Sequence, residues 1–354
     1  RRNFRNMNHS RFESIVGALI DKQNELFHCD NTEKKKQLKD EIESLRDMVI
    51  LSQLEGCSSE KIQRYHESKQ MASKPYILWQ LEFARVFREK GGFDIVIGNP
   101  PYVGEKGNKE LFRPIAGTRF GEKYYYGKMD LFYFFYHKAI DIGNANAEIS
   151  FITTNYYPTA FGGKRLRLDF KERTRIRRMI NFNELRIFES ALGQHNMITM
   201  LTKKTESISA QNCFCKMTGV ADAELLKKIL YSDNLDEKYF VRYEVPQDAL
   251  YDGDEAYIRL AGVNNSSTDT IDSVLDKIAN SKYTLKTIAN IKQGIVSGAD
   301  KYTDAHEAKY GLGFTKGTGI FILKKEEVER LEIPTSEYKY IKPVYKNSEV
   351  SKYH

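Results

Sequence analysis

The chain has 354 residues, enough for two or three domains, each with its own core. Hydrophobic residues make up 41% and charged residues 29%, and the apolar runs are too short to span a bilayer, which argues against membrane-spanning helices. The net charge of +7 is mild for this length; it is compatible with a polyanionic partner and establishes none.

No charged, then apolar, then small-residue pattern opens the sequence, so no signal peptide is expected. Cys29, Cys57, Cys213 and Cys215 lack the paired spacing of a zinc site and read as reduced thiols of a cytoplasmic protein.

Ile15, Leu19 and Leu26, then Leu38, Ile42 and Leu45, recur at helical spacing around Cys29-Asp30-Asn31. They predict two antiparallel helices over 10–51, with Asn31 capping the second. Residues 52–72 read as a polar connector. Ser73 and Pro75 then open a helix through Trp79, Leu81 and Phe87, which Gly91-Gly92 ends.

A strand follows at once in FDIVIGNPPYVG, residues 93–104. Residues 104–128 read as a Gly- and Lys-rich loop, and Asp130 as the cap of an aromatic helix over 131–142. Next come a strand at 147–154, a helix carrying the basic stretch 164–178, and strands near 178–183 and 196–203. Strands flanked by helices predict an α/β fold, a wound sheet whose last two strands form a hairpin.

Residues 164–178 hold eight Lys or Arg against two acids, either a solvated face or a phosphate-contacting one. Beyond 206 the alternation is irregular, with a surface loop at 264–267 and a helix at 268–281. LKTIANIKQGIVSGADKYT is turn-rich, and its lysines are further candidates for phosphate contacts. GLGFTKGTG, 311–319, has glycines but is followed by the strand-like IFIL, so it is no dinucleotide turn.

The end of the first strand carries the chemistry. A strand that stops on Asn99-Pro100-Pro101-Tyr102 presents a rigid polar feature, because proline cannot pair and fixes φ. A nucleobase amine is a poor nucleophile while its lone pair is delocalised into the ring. Two acceptors on its N–H bonds push it toward a tetrahedral, nucleophilic form. The Asn99 side chain and the Pro100 carbonyl can supply them, and Tyr102 offers a face for a flipped base, a contact worth roughly 1–3 kcal/mol. No ionised base is needed, since the product ammonium loses its proton easily. A purely structural turn is the plainer alternative, which the preceding DIVIG run and Gly-Gly helix end disfavour.

FDIVIGNPPYV resembles the catalytic motif of amino-methyltransferases. With MDLFYFFYHKAI, ISFITTNYY and FNELRIFESALGQHNMITMLTKK in that order, 75–205 resembles the gamma-class adenine-N6 DNA methyltransferases, nearest the methylase part of type IIG restriction-modification enzymes. The resemblance implies a partial S-adenosylmethionine-dependent methyltransferase sheet, with 1–72 a helical insertion and connector and 73–205 the catalytic half. Residues 206–280 would connect it to the start of an α+β target-recognition domain at 281–354.

It implies that Asn99 and Pro100 accept from the adenine amine, that Tyr102 stacks, and that Pro101 and Phe188 line the base site. The implied cofactor is S-adenosyl-L-methionine. Its Gly-rich turn, which carries most cofactor contacts in the family, matches nothing before residue 93, so the chain is expected to be a fragment, inactive alone and binding the cofactor weakly or not at all. Expected partners are double-stranded DNA and the remaining N- and C-terminal parts of the parent polypeptide, with no membrane. Methylation of RNA or of a protein glutamine, and a non-catalytic DNA-binding module, are the alternatives.

Overall fold

The computed structural model describes residues 2–55, 57–71, 76–188, 194–206, 208–231, 239–259, 283, 285–290 and 300–343. The chain divides into two compact units, residues 1–273 and 274–354.

The first unit opens on helices α1 (Arg2–Phe27) and α2 (Thr32–Leu54). The Asn31 side chain accepts from the Lys34 amide at 2.9 Å, as the sequence predicts for a cap. Helix α3 (Ser59–Gln70) occupies much of the expected connector. Leu19 and Ile42 form a small core with Ala84, so the helical pair packs on the short helices α4 (Trp79–Glu82) and α5 (Ala84–Lys90).

The expected single helix over this region is broken at Phe83, which has φ −123° and ψ 46°. Leaving the helix lets Phe83 stack on Trp79 at 5.9 Å and meet Phe93 edge-on at 5.0 Å. The expected Ser73 cap lies outside the described residues. Gly91, at φ 73°, ends α5 in the left-handed region.

Strand β1 (Phe93–Gly98) follows. The expected loop after it contains two helices, α6 (Lys109–Ala116) and α7 (Arg119–Tyr124). They were obscured by Pro114 inside the first and by the single turn of sequence between them. Thr118 caps α7, and Gly121 sits so close to the Ile115 carbonyl that a Cβ there would be 2.0 Å from it. Helix α8 (Phe132–Ile142) carries the aromatic run and leads into β2 (Gly143–Thr154). Helix α9 (Lys164–Arg173) is shorter than expected, because Arg175, Arg177 and Arg178 already belong to β3 (Arg175–Asn181).

After β4 (Leu185–Arg186) come β5 (Asn196–Thr202), β6 (Ser209–Cys215), β7 (Gly219–Val220), α10 (Ala223–Tyr231) and β8 (Phe240–Pro246). The six-stranded sheet has the order β1-β2-β5-β3-β6-β8. β1 and β2 are parallel, as are β3 and β6; β5 lies antiparallel between β2 and β3, and β8 is antiparallel to β6. The expected hairpin pairing of the strands around 178 and 200 is therefore present as β3 and β5. The carboxyl ends of β1, β2 and β3 and the start of β5 meet at one edge, with Thr154 opposite Asn196 and Asn181 opposite Met197. A short pair, β9 (Tyr251–Asp252) and β10 (Tyr257–Ile258), closes the described part of this unit.

The main core joins the aromatic face of α8 to β2, α9, β3 and β5. Inside it His137 Nδ1 meets Asp169 Oδ2 at 2.6 Å, while Arg173 donates to the same carboxylate and to Asp141. The Tyr124 ring stacks on His137 at 3.8 Å. Burial holds His137 below its ordinary value despite the carboxylate, and its buried Nε2 finds no hydrogen-bond partner among the described residues. The unfolded chain thus binds this proton more readily than the folded one. Stability from this group is full above the unfolded value and is lost as pH falls below it. The denaturation midpoint should fall between about pH 7 and about pH 5.5, and His137→Gln should flatten that fall. A midpoint insensitive to pH across that window in the unsubstituted chain would contradict this.

In the second unit, Thr303 caps a helix at Asp304–Tyr310, Lys301 bridges Gly319, and a further helix spans Lys325–Arg330. The segment 311–319 is a loop, as expected, but IFIL is not a strand: residues 320–322 are bends leading to the Lys325 helix. The expected loop at 264–267, the helix at 268–281 and residues 291–299 lie outside the described residues.

Candidate functional site

The turn Asn99–Tyr102 leaves the sheet at the carboxyl end of β1. Asn99 and Pro101 are exposed, Pro100 is buried, and Tyr102 is half-buried. Among the described residues no hydrogen bond engages the Asn99 side chain or the Pro100 carbonyl, so both acceptors stand open. Two successive proline rings restrict the backbone on both sides of that carbonyl.

Tyr102 is anchored rather than free. Its hydroxyl donates to the Ile152 carbonyl at 3.0 Å, and its ring meets Phe132 edge-on at 6.4 Å. Burial pushes the phenol up to about 12, against the pull of the nearby Asn196 carboxamide. It therefore stays a neutral donor at physiological pH and is unsuited to carrying protons. The other expected base contact, Phe188, is half-buried just after β4, where the described residues break off.

The sequence did not flag the amide rim beside the turn. Asn155 at the end of β2 donates to Asn181 Oδ1 at 2.9 Å, and that oxygen also accepts from the Asn183 amide at 3.0 Å. Asn183 has φ 50°, and His195 Nδ1 donates to its carbonyl at 2.8 Å. His195 thus braces the connection between β3 and β5. The available signal was the asparagine that recurs where each of these strands begins or ends.

A groove of about 870 Å³ opens next to Asn99 and Pro100. Its walls are largely apolar, from Trp79, Ile97, Ile115, Phe134 and Phe135, and Lys138 is its one charged lining residue. S-adenosyl-L-methionine needs acceptors for a ribose diol and an ammonium as well as a partner for its carboxylate. Lys138 could meet only the last; Asn99, Thr118 and the Pro100 backbone supply the other polar lining among the described residues, with no acidic side chain to hold both the diol and the ammonium, and every described element before β1 is helical. The described residues do not fit the cofactor. Titration of this chain with S-adenosylmethionine should show no low-micromolar binding; calorimetric heats at that affinity would overturn the assignment.

The basic stretch 164–178 is not a free cationic face. Arg165 donates to the Glu122 and Lys123 carbonyls, Arg173 to Asp169 and Asp141, Arg175 to the Thr174 carbonyl, and Arg178 to the Leu230 carbonyl. Arg177 pairs with Glu148 and Lys164 with Glu255, while Lys171 lies 5.8 Å from the Tyr251 ring centre. Arg167 is fully buried; it donates to the Tyr157 carbonyl at 2.8 Å, the Ala160 carbonyl at 2.7 Å and the Glu255 carbonyl at 3.0 Å. Most of these cations fasten chain to chain, so of the two readings of this stretch, a solvated face or a phosphate-contacting one, only the exposed Lys171 and Arg177 offer charge to solvent.

The family described as Eco57I restriction-modification methylase matches residues 12–188, half of the 354 residues. No curated protein sequence matches. Solved structures similar in part include the methyltransferase subunit of a type I restriction-modification system from Streptococcus thermophilus, at 14% identity and TM-score 0.33 over 46% of this chain and 36% of that one. The type IIG restriction endonuclease BpuSI gives 16% identity and TM-score 0.32, over 44% of this chain and 19% of that one. A nuclease-deletion mutant of the type ISP restriction-modification enzyme LlaGI, in complex with a DNA substrate mimic, gives 19% identity and TM-score 0.36, over 54% and 20%. The chain spans well under half the length of each.

Proposed function

From the premise that the chain belongs to the Eco57I restriction-modification methylase family, we propose that it carries the target-base pocket of an adenine-N6 DNA methyltransferase. The observation that carries this reading is the pair of open acceptors, the Asn99 side chain and the Pro100 carbonyl, on a proline-stiffened turn at the carboxyl end of a strand.

The adenine amine, extruded from the duplex, donates its two N–H bonds to these acceptors. Its nitrogen then moves toward tetrahedral geometry and its lone pair becomes available. Tyr102, and Phe188 on another side, flank the base. The product ammonium releases its proton to water, which agrees with the absence of a general base in the Asn99–Tyr102 turn.

The methyl donor, S-adenosyl-L-methionine, belongs in this proposal to parts of the intact polypeptide outside the described residues, and the chain alone is inactive. The intact protein is a type IIG restriction-modification enzyme acting on double-stranded DNA in the cytoplasm. No described helix is long and apolar enough to cross a membrane. Residues 73–205 form the catalytic half, and 281–354 begin target recognition.

The test is methyl incorporation by the intact enzyme into three substrates: a duplex carrying its site, an RNA of the same sequence, and a glutamine-containing peptide. N6-methyladenine in the duplex alone is expected. Label in the RNA or the peptide instead would overturn the reading.

A further inference from the structure

The turn Tyr126-Gly127-Lys128 is locked to the catalytic loop on one side and to the turn after β2 on the other. The Glu105 amide donates to the Met129 carbonyl and the Leu131 amide to the Val103 carbonyl, each at 2.8 Å, so the residues following Tyr102 are zipped to 129–131. Tyr125 donates to Glu105 Oε1 at 2.5 Å. On the far side, a Cβ on Gly162 would stand 2.0 Å from the Lys128 carbonyl, so the two turns touch backbone to backbone.

This contact presents an unusual surface. Phe161 is 55% exposed, and its ring lies 5.2 Å from that of Tyr126 at an interplanar angle of 34°. The Lys128 ammonium stands 5.4 Å from the Phe161 ring centre, and Lys164 stands 5.9 Å from that of Tyr126. Lys128 holds φ 52°, a left-handed conformation that costs a non-glycine residue energy and tends to persist at functional positions. A large aromatic ring left in solvent, braced by a glycine and topped by a cation, has no evident use in holding the fold together.

We propose that Phe161 and Tyr126, with Lys128, form a platform that takes one unpaired nucleotide of a DNA strand beside the extruded target base. The phosphate draws the Lys128 ammonium off the ring, and the base takes the face the ammonium vacates. Stacking suits any base, because each has a π face. The cation count favours stacking over charge as the main source of the platform's own affinity: Lys164 is paired with Glu255, and Arg165, 6.0 Å from the Tyr126 ring centre, donates to the Glu122 and Lys123 carbonyls, leaving Lys128 as the phosphate contact. The partner's identity as DNA rests on the function proposed above; the platform itself rests on the rings and the cation.

The test is fluorescence anisotropy of this chain with a fluorescein-labelled oligothymidylate and with a duplex of equal length. Phe161→Ala should weaken single-strand binding by roughly 5- to 150-fold, the worth of one base–aromatic stack. Phe161→Trp should restore it, with tryptophan fluorescence quenched on binding. Lys128→Gln should lower the slope of log affinity against log salt by about 0.7, one phosphate on a single strand. Single-strand affinity unchanged by Phe161→Ala, or no binding by the unsubstituted chain, would overturn the platform. The readout needs no methylation. If DNA methylation is absent from the intact enzyme while Phe161→Ala still weakens binding, the proposed function fails and the platform stands. If methylation is present and Phe161→Ala changes nothing, the reverse holds.

Discussion

Asn99→Ala in the intact enzyme should lower single-turnover methyl transfer by about 10²–10³-fold, the usual cost of one hydrogen bond aimed at charge that develops in a transition state. The open Asn99 acceptor has no described partner, so its loss leaves no buried group stranded and should leave the fold intact. DNA affinity should hardly move, because phosphate contacts dominate it. Tyr102 gives the contrast. Tyr102→Phe removes the bond to the Ile152 carbonyl, worth about 0.5–1.5 kcal/mol, but keeps a ring for stacking, so most of the rate should survive. Methylation kinetics with 2-aminopurine at the target position separates the two effects. A Tyr102→Phe enzyme as slow as Asn99→Ala would mean that the hydroxyl takes part in the chemistry.

Arg167→Leu should be the most damaging single change to stability, by about 2–5 kcal/mol. Its guanidinium is the hydrogen-bond donor to the Tyr157, Ala160 and Glu255 carbonyls, and it lies 4.7 Å from the Tyr257 ring centre. Leucine fills part of the space and donates nothing, so acceptors around the residue are left without this partner. Urea unfolding of the chain measures the loss. A midpoint within experimental error of the unsubstituted chain would show that water replaces the guanidinium at no cost.

The turn at 99–102 and the strand before it could be read directly, because proline, asparagine and an apolar run constrain the backbone locally. The helical pair was equally plain, with its period and an Asn31 cap. What escaped was decided by tertiary packing. Phe83 breaks a helix to reach Trp79 and Phe93, a choice that no local propensity encodes. The Gly- and Lys-rich composition of 104–128 suggested a loop where Phe112, fully withdrawn from solvent, anchors a helix. The arginines of 164–178 looked like a surface because composition counts charges but cannot see acceptors. Their partners lie as far as 88 residues away in sequence, as with Arg167 and Glu255. The amide rim was invisible for a related reason: its asparagines are scattered along the chain and become one feature only when β2, β3 and β5 are side by side.

Strand β1 has one consequence for handling the protein. Among the described residues it pairs with β2 alone, and Ile95 and Ile97 on it are 69% and 79% exposed. An open strand edge with a bare aliphatic stripe is a template for pairing with any other chain that reaches it, and the one charge of the strand, Asp94, alternates to the opposite face and leaves the stripe uninterrupted. The isolated chain should accordingly be a poor colloid. Its light scattering should rise with concentration, and charged substitutions at Ile95 and Ile97 should suppress that rise while leaving the Asn99 turn in place.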